Sequence, residues 1–191
     1  MDIGGTLSRV SDTPPPQLSV SSGSALLDAV REIERYVADA GWDQPARLFA
    51  LADTATLLTR EPELAAAMGL RADGSAALTP VEQEALAADR PLEDVLATMM
   101  WPDDVVGCAL AVERVVLPPD AETALPADPD DLATTVASHE ARQDVRMVVA
   151  VLRDGTRECA LRLRLHDEEQ AVLTGPDLVP ALADALLVTF D

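Results

Sequence analysis

Lysine and asparagine are absent from this chain of 191 residues, isoleucine occurs twice, and aromatic residues make up only 3%. All 14 basic residues are therefore arginine, while alanine occurs 32 times. This joint skew follows the codon composition of a GC-rich genome. The use of arginine in place of lysine is for that reason weak evidence of selection for bidentate ligand recognition.

Cysteine and long apolar runs are also scarce. The two cysteines, Cys108 and Cys159, lie in apolar, strand-like segments and do not indicate a disulfide framework. No apolar run reaches the roughly 18 residues that are needed to cross a bilayer. The first 20 residues lack the pattern of a secretory signal. These features predict a cytoplasmic protein without membrane insertion.

Negative charge is the most prominent feature that is present. The 34 acidic residues give the chain a formal net charge of −20. A field of this sign repels nucleic acid and anionic lipid, so we expect no direct binding to nucleic acid, and it favours solubility or basic partners. A solvated acidic surface explains such a charge. A DNA mimic, a partner of a basic protein and adaptation to high salt are the alternatives.

The composition divides the chain into two regions. Residues 1–23 contain prolines at 14–16 and a Ser/Gly run, and we predict a disordered Pro/Ser-rich leader there. Residues 24–191 are predicted to form a single α+β domain. Its sheet is expected to have about four strands, antiparallel or mixed, with helices packed on it.

Periodicity and turn residues define the expected elements. The most specific local signal is Thr-Pro-Val-Glu at 79–82, which has the pattern of a capping box and predicts the start of a helix. Other helices are expected at 24–40, 62–68, 91–99, 130–140 and from Asp177 to 188, and strands at 46–52 and 107–117.

A β-hairpin is the clearest tertiary unit. Residues 145–153 and 156–165 flank an Asp-Gly pair at 154–155, which is typical of a two-residue type I′ turn. With that turn, the numbers of two facing residues sum to 309. Arg162 is then expected to face Met147, on the ribbon face opposite to Arg146.

The hairpin also differs in charge from the rest of the chain. Residues 142–164 contain six arginines and three acids, a local balance of +3, so the remainder carries −23. Arg146, Arg162 and Arg164 are candidate binding residues. Either they pair with acids on a neighbouring helix, or the ribbon docks a partner or an anionic ligand.

Two tryptophan loops precede the predicted strands. Trp42, Asp43 and Gln44 come before one strand, and Trp101 and Asp103 come before another. A tryptophan at a strand entrance commonly closes the end of a core. The functional alternative is that both loops meet at one sheet edge and form the floor of a binding cleft.

Motifs that carry catalysis or bind a cofactor are not evident. The two histidines lack the spacing of a zinc helix, and there is no Cys-x-x-Cys, no phosphate-binding loop and no nucleophile elbow. We therefore predict no catalytic residue, no metal site and no cofactor, and the case for an enzyme is weak.

Four stretches of the chain resemble an uncharacterised family of acidic actinobacterial proteins. They are residues 41–51, 101–114, 145–165 and 173–182. The resemblance covers roughly residues 24–190 and leaves out the leader. It implies no activity, cofactor or catalytic residue, so no site is transferred from it.

The leading functional hypothesis is a non-enzymatic binding or adaptor protein that engages a protein partner through the tryptophan loops or the arginine-bearing hairpin. The first alternative is a hydrolase or transferase of unfamiliar type, with a Trp/Asp-lined cleft and Arg162 or Arg164 as the anion holder. The second alternative is a DNA mimic, which requires carboxylates spaced along one face like phosphates.

Overall fold

The computed structural model of the protein describes residues 22–71, 77–84, 86, 90–117 and 138–191. Its strands are β1 (Arg47–Asp53), β2 (Leu78–Glu82), β3 (Val105–Val116), β4 (Gln143–Leu152), β5 (Arg157–Leu163) and β6 (Leu173–Gly175). Its helices are α1 (Ser22–Asp39), α2 (Thr54–Arg60), α3 (Pro62–Ala67), α4 (Leu92–Leu96) and α5 (Pro180–Leu187). Short 3₁₀ turns lie at Glu169–Ala171 and Val188–Phe190.

The strands form one open antiparallel sheet in the order β2-β1-β3-β4-β5-β6. The predicted α+β class is confirmed, but the expected number of about four strands is wrong, because the sheet has six. The two strands that were missed, β2 and β6, are short and lie at the two edges of the sheet.

The capping-box prediction at 79–82 is also wrong, since these residues form β2. The N–H of Gln83 donates to the carbonyl of Leu48 at 2.8 Å. The two-residue alternation of an antiparallel ladder then turns the nitrogen of Pro80 away from β1. On an edge strand, Pro80 therefore removes no hydrogen bond from the ladder, and proline is tolerated there.

Helix α1 covers one face of the sheet. Leu26, Val30, Ile33 and Val37 recur at helical spacing and are all buried. Full burial of such a side chain contributes about 1.5–3 kcal/mol, so this stripe is a main source of stability. Gly41, with a φ of 82°, ends the helix in the left-handed region that glycine adopts without strain.

The opposite face of the sheet packs against α5 and α4. Ala183 and Leu186 of α5 and Leu96 of α4 are buried with the sheet residues of this second core. The last helix begins at Pro180, not at Asp177 as expected, because proline occupies the first helical turn without loss of a hydrogen bond. The sheet is thus covered by helices on both faces.

The hairpin register differs from the prediction by one residue. Arg146 faces Arg162, so the numbers of facing residues sum to 308 and Arg162 does not face Met147. The N–H of Leu152 donates to the carbonyl of Thr156 at 2.8 Å, which leaves a three-residue loop that ends at Gly155 in the left-handed region. Because the side-chain period is two, this shift moves Arg146 to the same face as Arg162.

Two of the expected elements cannot be compared in full. The predicted leader lies outside the described residues except for Ser22 and Gly23, which belong to α1. Of the helix predicted at 130–140, residues 130–137 lie outside the described residues. Among the described residues, no helix is both long enough and apolar enough to span a membrane.

Candidate functional site

Six of the eight candidate residues meet at one end of the sheet, where the loop after α1 crosses β3, β4 and β5. They are Trp42, Asp43, Gln44, Arg146, Arg162 and Arg164. Glu34, Glu113, Asp144 and Asp167 bind the arginines of this group. We call these ten residues the Trp42 network.

Arg146 lies at the centre of the Trp42 network. Its side chain is 1% exposed, and its guanidinium carbon lies 4.3 Å from the centre of the Trp42 ring. Nη2 and Nε donate to Oε1 of Glu113 at 2.8 and 3.2 Å, and Nη2 also donates to the carbonyl of Gly41. The aromatic face, the carboxylate and the carbonyl together replace the water that this charge has lost.

Arg162 joins the sheet to α1. Its Nε and Nη2 donate to the two carboxylate oxygens of Glu34 at 2.6 and 2.8 Å, and both side chains are buried. Nη1 donates to the carbonyl of Asp167 at 2.9 Å. The hydrogen bond to Glu34 raises the pKa of the Arg162 guanidinium above its already high value. This geometry is the pairing with an acid on a neighbouring helix that the sequence allowed.

Arg164 forms the outer part of the Trp42 network. It donates from Nη1 and Nη2 to both carboxylate oxygens of Asp43 at 2.8 Å. These bonds hold the pKa of the Asp43 carboxyl below its usual value. Asp43 has a φ of 66°, and its N–H donates to Glu113 at 2.7 Å, which fixes the loop in this unusual conformation.

The remaining contacts orient the tryptophan loop. The indole Nε1 of Trp42 donates to Asp167 at 3.0 Å, and Nε2 of Gln44 donates to the carbonyl of Ala40 at 3.1 Å. Five carboxylates therefore meet three guanidinium groups in the Trp42 network. The positive charge counted along the hairpin is compensated mainly from other elements, and Arg146 and Arg162 already bind carboxylates of β3 and α1.

Trp101 and Asp103 lie elsewhere. The Nε1 of Trp101 donates to the hydroxyl of Thr189 at 2.9 Å, and its ring stacks on Phe190 with centroids 6.3 Å apart. Trp101 belongs to the α5-side core and borders Cys108. Asp103 is exposed in the turn before β3.

The structure does not bring the two tryptophan loops together. The Trp42 loop contacts Glu113, five residues along β3 from Cys108, and five residues of a strand span about 17 Å. The two indoles also lie on opposite faces of the sheet. A cleft lined by both loops is therefore not formed: Trp101 packs against the α5-side core, and Trp42 lies over the guanidinium groups of Arg146 and Arg164.

Cys108 is buried between β1 and β4 in the centre of the sheet. Burial raises the pKa of its thiol to about 12, against a weaker opposite effect of the Thr189 hydroxyl. Burial also raises the pKa of the Cys159 thiol. Both cysteines are therefore protonated near neutral pH, and neither has the thiolate form that nucleophilic catalysis requires.

Sequence reasoning missed an apolar groove between α4 and α5. Its larger part has a volume of about 310 Å³, and it continues past Leu92 and Arg114 into a second hollow of about 250 Å³ that reaches Pro45 and Arg90. We call both parts together the α4–α5 groove. The lining of the larger part is mostly apolar, but it also contains Glu93; its apolar members include Leu96, Val112, Met147, Val179, Leu182 and Ala185.

One signal in the sequence could have pointed to this groove. Residues 180–187 contain almost only alanine and leucine, which is more apolar surface than one sheet-facing stripe of a helix needs. Leu182 and Ala185 stay only partly buried against the second core and line the groove. The position of α4 beside α5 depends on tertiary packing and gives no local signal.

An open antiparallel sheet with helices on both faces and a groove between two of them is compatible with many functions. Residues 26–191 match the model of the PPA1309-like protein family, and the chain belongs to this family. The expected membership of an uncharacterised family is thereby confirmed. No match was found among curated proteins or among solved structures.

Proposed function

We propose that the protein is a non-enzymatic binding protein that engages a protein partner, and that the partner docks in the α4–α5 groove. The observation that carries this proposal is the groove itself, an apolar trough that is open to solvent beside two arginines. Protein interfaces characteristically combine an apolar centre with a polar rim in which arginine is enriched.

The Trp42 network is a less favourable docking surface. A ligand that binds Arg146 or Arg162 has to displace Glu113 or Glu34, and the displaced carboxylate is then left without its partner in a largely dry site. Separation of a buried ion pair is expensive, about 3–5 kcal/mol. We therefore assign these arginines to the framework and place docking on the other face of the sheet.

The alternatives receive less support. The hydrolase or transferase hypothesis relied on a cleft shared by Trp42 and Trp101, which lie apart, and the thiol of Cys108 is protonated. The DNA-mimic hypothesis stays a prediction of the sequence. None of the contacts described above favours it over a binding protein.

Recovery of a partner from native cell extract, with one blocking variant and one matched control, tests the proposal. Ala181 is exposed in the first turn of α5 and lines the groove, so Ala181→Glu places a charge in it without removal of a buried side chain. Ala55 is exposed in the first turn of α2, and Ala55→Glu is the control. Glutamate near a helix N-terminus is compatible with both helices.

The wild-type protein and Ala55→Glu are expected to recover the same stoichiometric partner, and Ala181→Glu is expected to lose it. Equal recovery by Ala181→Glu would exclude the groove as the docking surface. Recovery of no stoichiometric partner by any of the three proteins would contradict the proposed function.

A further inference from the structure

Arg90 and Arg114 differ from most other described arginines because neither has a carboxylate partner in the described part of the chain. Arg114 donates only to the carbonyl of Glu113, at 3.4 Å, and Arg90 donates to the carbonyl of Asp94 at 3.2 Å. The arginines that do form ion pairs with the chain's own carboxylates are Arg35, Arg47, Arg142, Arg146, Arg157, Arg162 and Arg164.

Both of these arginines line the α4–α5 groove. Arg114 is two residues from Val112 on β3, so the two side chains share one face of the sheet, and Arg114 lines both hollows. Arg90 lines the second hollow. Arg114 thus lies where the two hollows meet, and Arg90 lies beyond it along the groove.

An apolar floor and two arginines that no described carboxylate binds favour one class of occupant. The floor accepts aliphatic side chains, and a guanidinium binds a carboxylate through two parallel hydrogen bonds. Glu93 also lines the groove, so its two arginines and one acid give it a formal charge of +1. At physiological salt the field of the more distant acidic surface is screened beyond about 8 Å. The groove therefore differs in charge preference from the chain as a whole.

We propose that the α4–α5 groove binds an apolar segment of a partner protein that bears carboxylates, with Arg114 and Arg90 as the residues that pair with these carboxylates. The inference rests on the proposed function, and it adds the chemistry of the partner. It also gives the acidic chain a means to accept an acidic segment, which its net charge alone would disfavour.

Two synthetic probes test the charge preference. Both are amphipathic peptides of about 12 residues, roughly three helical turns, with the same leucines on one face. One probe carries glutamates on the other face, and the second carries lysines there. Binding to the full chain is measured by fluorescence anisotropy at about 0.15 M salt.

The glutamate probe is expected to bind the wild-type protein, and Arg114→Gln is expected to weaken it about tenfold, which corresponds to about 1.4 kcal/mol. Arg60→Gln, which removes an exposed arginine of α2 outside the groove, should leave its affinity unchanged. Ala181→Glu should abolish binding of the glutamate probe. Any binding of the lysine probe to the acidic surface should be insensitive to both Arg114→Gln and Ala181→Glu.

Failure of this inference and failure of the proposed function give different results. If Ala181→Glu blocks the glutamate probe but Arg114→Gln and Arg90→Gln do not weaken it, the acidic occupant is wrong and the groove remains the docking surface. If no probe binds, or if Ala181→Glu blocks neither probe, both proposals are overturned.

Two further results would identify a different occupant and would also overturn the inference. A concentration-dependent dimer that Ala181→Glu dissociates, as measured by analytical ultracentrifugation, would assign the groove to a second copy of the chain. Binding of the glutamate probe only after deletion of residues 118–137 would assign the groove to the chain itself.

Discussion

Removal of Arg162 tests whether the hairpin arginines hold the framework together. In the variant Arg162→Met, the buried Glu34 carboxylate loses both of its short hydrogen bonds, 2.6 and 2.8 Å long. The Glu34 side chain is 4% exposed, so water cannot solvate the carboxylate in place of the guanidinium. An uncompensated buried charge of this kind lowers the free energy of unfolding by about 3–5 kcal/mol.

Removal of both charges should lower the free energy of unfolding far less than the sum of the two single changes. In Glu34→Leu with Arg162→Met, no charge is left buried, and two apolar side chains of similar volume replace the pair. Asp167, which Arg162 also contacts, is half exposed and can be solvated by water. We therefore expect a coupling free energy of about 2–3 kcal/mol between the two positions, within the range of residues in direct contact.

The assay is urea unfolding followed by circular dichroism, with the midpoint and the slope compared among the variants. Arg164→Met is the matched control. Its partner Asp43 is exposed, so loss of this ion pair should change the midpoint little. Two results would refute the reasoning: strictly additive losses in the double variant, or a loss for Arg162→Met no larger than that for Arg164→Met.

Three further variants and measurements test other parts of the structure. A Cβ at residue 107 would lie 2.5 Å from the carbonyl oxygen of Val151. Gly107→Ala should therefore lower the free energy of unfolding by about 1–3 kcal/mol in urea titrations. Gly23→Ala should not lower it, because a Cβ at residue 23 would meet no atom within 4 Å. Since the pKa of Cys108 is raised to about 12, iodoacetamide at neutral pH should modify it in urea but not in the native protein, as read by mass spectrometry. Arg164 lowers the pKa of the Asp43 carboxyl in the folded protein. The Asp43 carboxylate therefore stabilises the fold above the unfolded pKa of about 3.9, and this stabilisation is lost as the pH falls through the lower folded pKa. Asp43→Asn should reduce the loss of stability that is measured between about pH 5 and 3.

Elements with strong periodicity could be predicted from the sequence. Helix α1 repeats its apolar residues every three or four positions, and Gly41 ends it, so local chemistry and tertiary packing agree. The central strand β3 is apolar along most of its length because both of its faces are buried. In such elements the local pattern is sufficient, since no neighbour has to be known.

The segment at 79–82 shows where local chemistry is insufficient. Thr-Pro-Val-Glu fits the first turn of a helix, but it also fits an edge strand, because proline is tolerated in both places for the same reason: its missing N–H is not needed. What decides between them is pairing with β1, some 30 residues away along the chain. The propensity of the four residues carries no information about that partner.

The candidate site depended on a register that the sequence could not provide. An Asp-Gly pair permits a two-residue loop or a three-residue loop with glycine in the left-handed region, and the two differ by one residue in pairing. With the first loop, Arg146 and Arg162 point to opposite faces. With the second, they lie side by side over one face, and their roles in the Trp42 network follow from that position.

The charge count along the hairpin selected three arginines as candidate binding residues without regard to their partners in the fold. Arg146, Arg162 and Arg164 form a dense positive stretch in the sequence, and in the fold each of them meets a carboxylate from another element or from the same hairpin. Arg90 and Arg114 stand alone in the sequence among acids, and in the fold no described carboxylate reaches them. An arginine is available to a partner only if the chain itself does not satisfy it, and this depends on contacts between distant elements. Which arginines the chain pairs with its own carboxylates therefore becomes visible only when the contacts between distant elements are known.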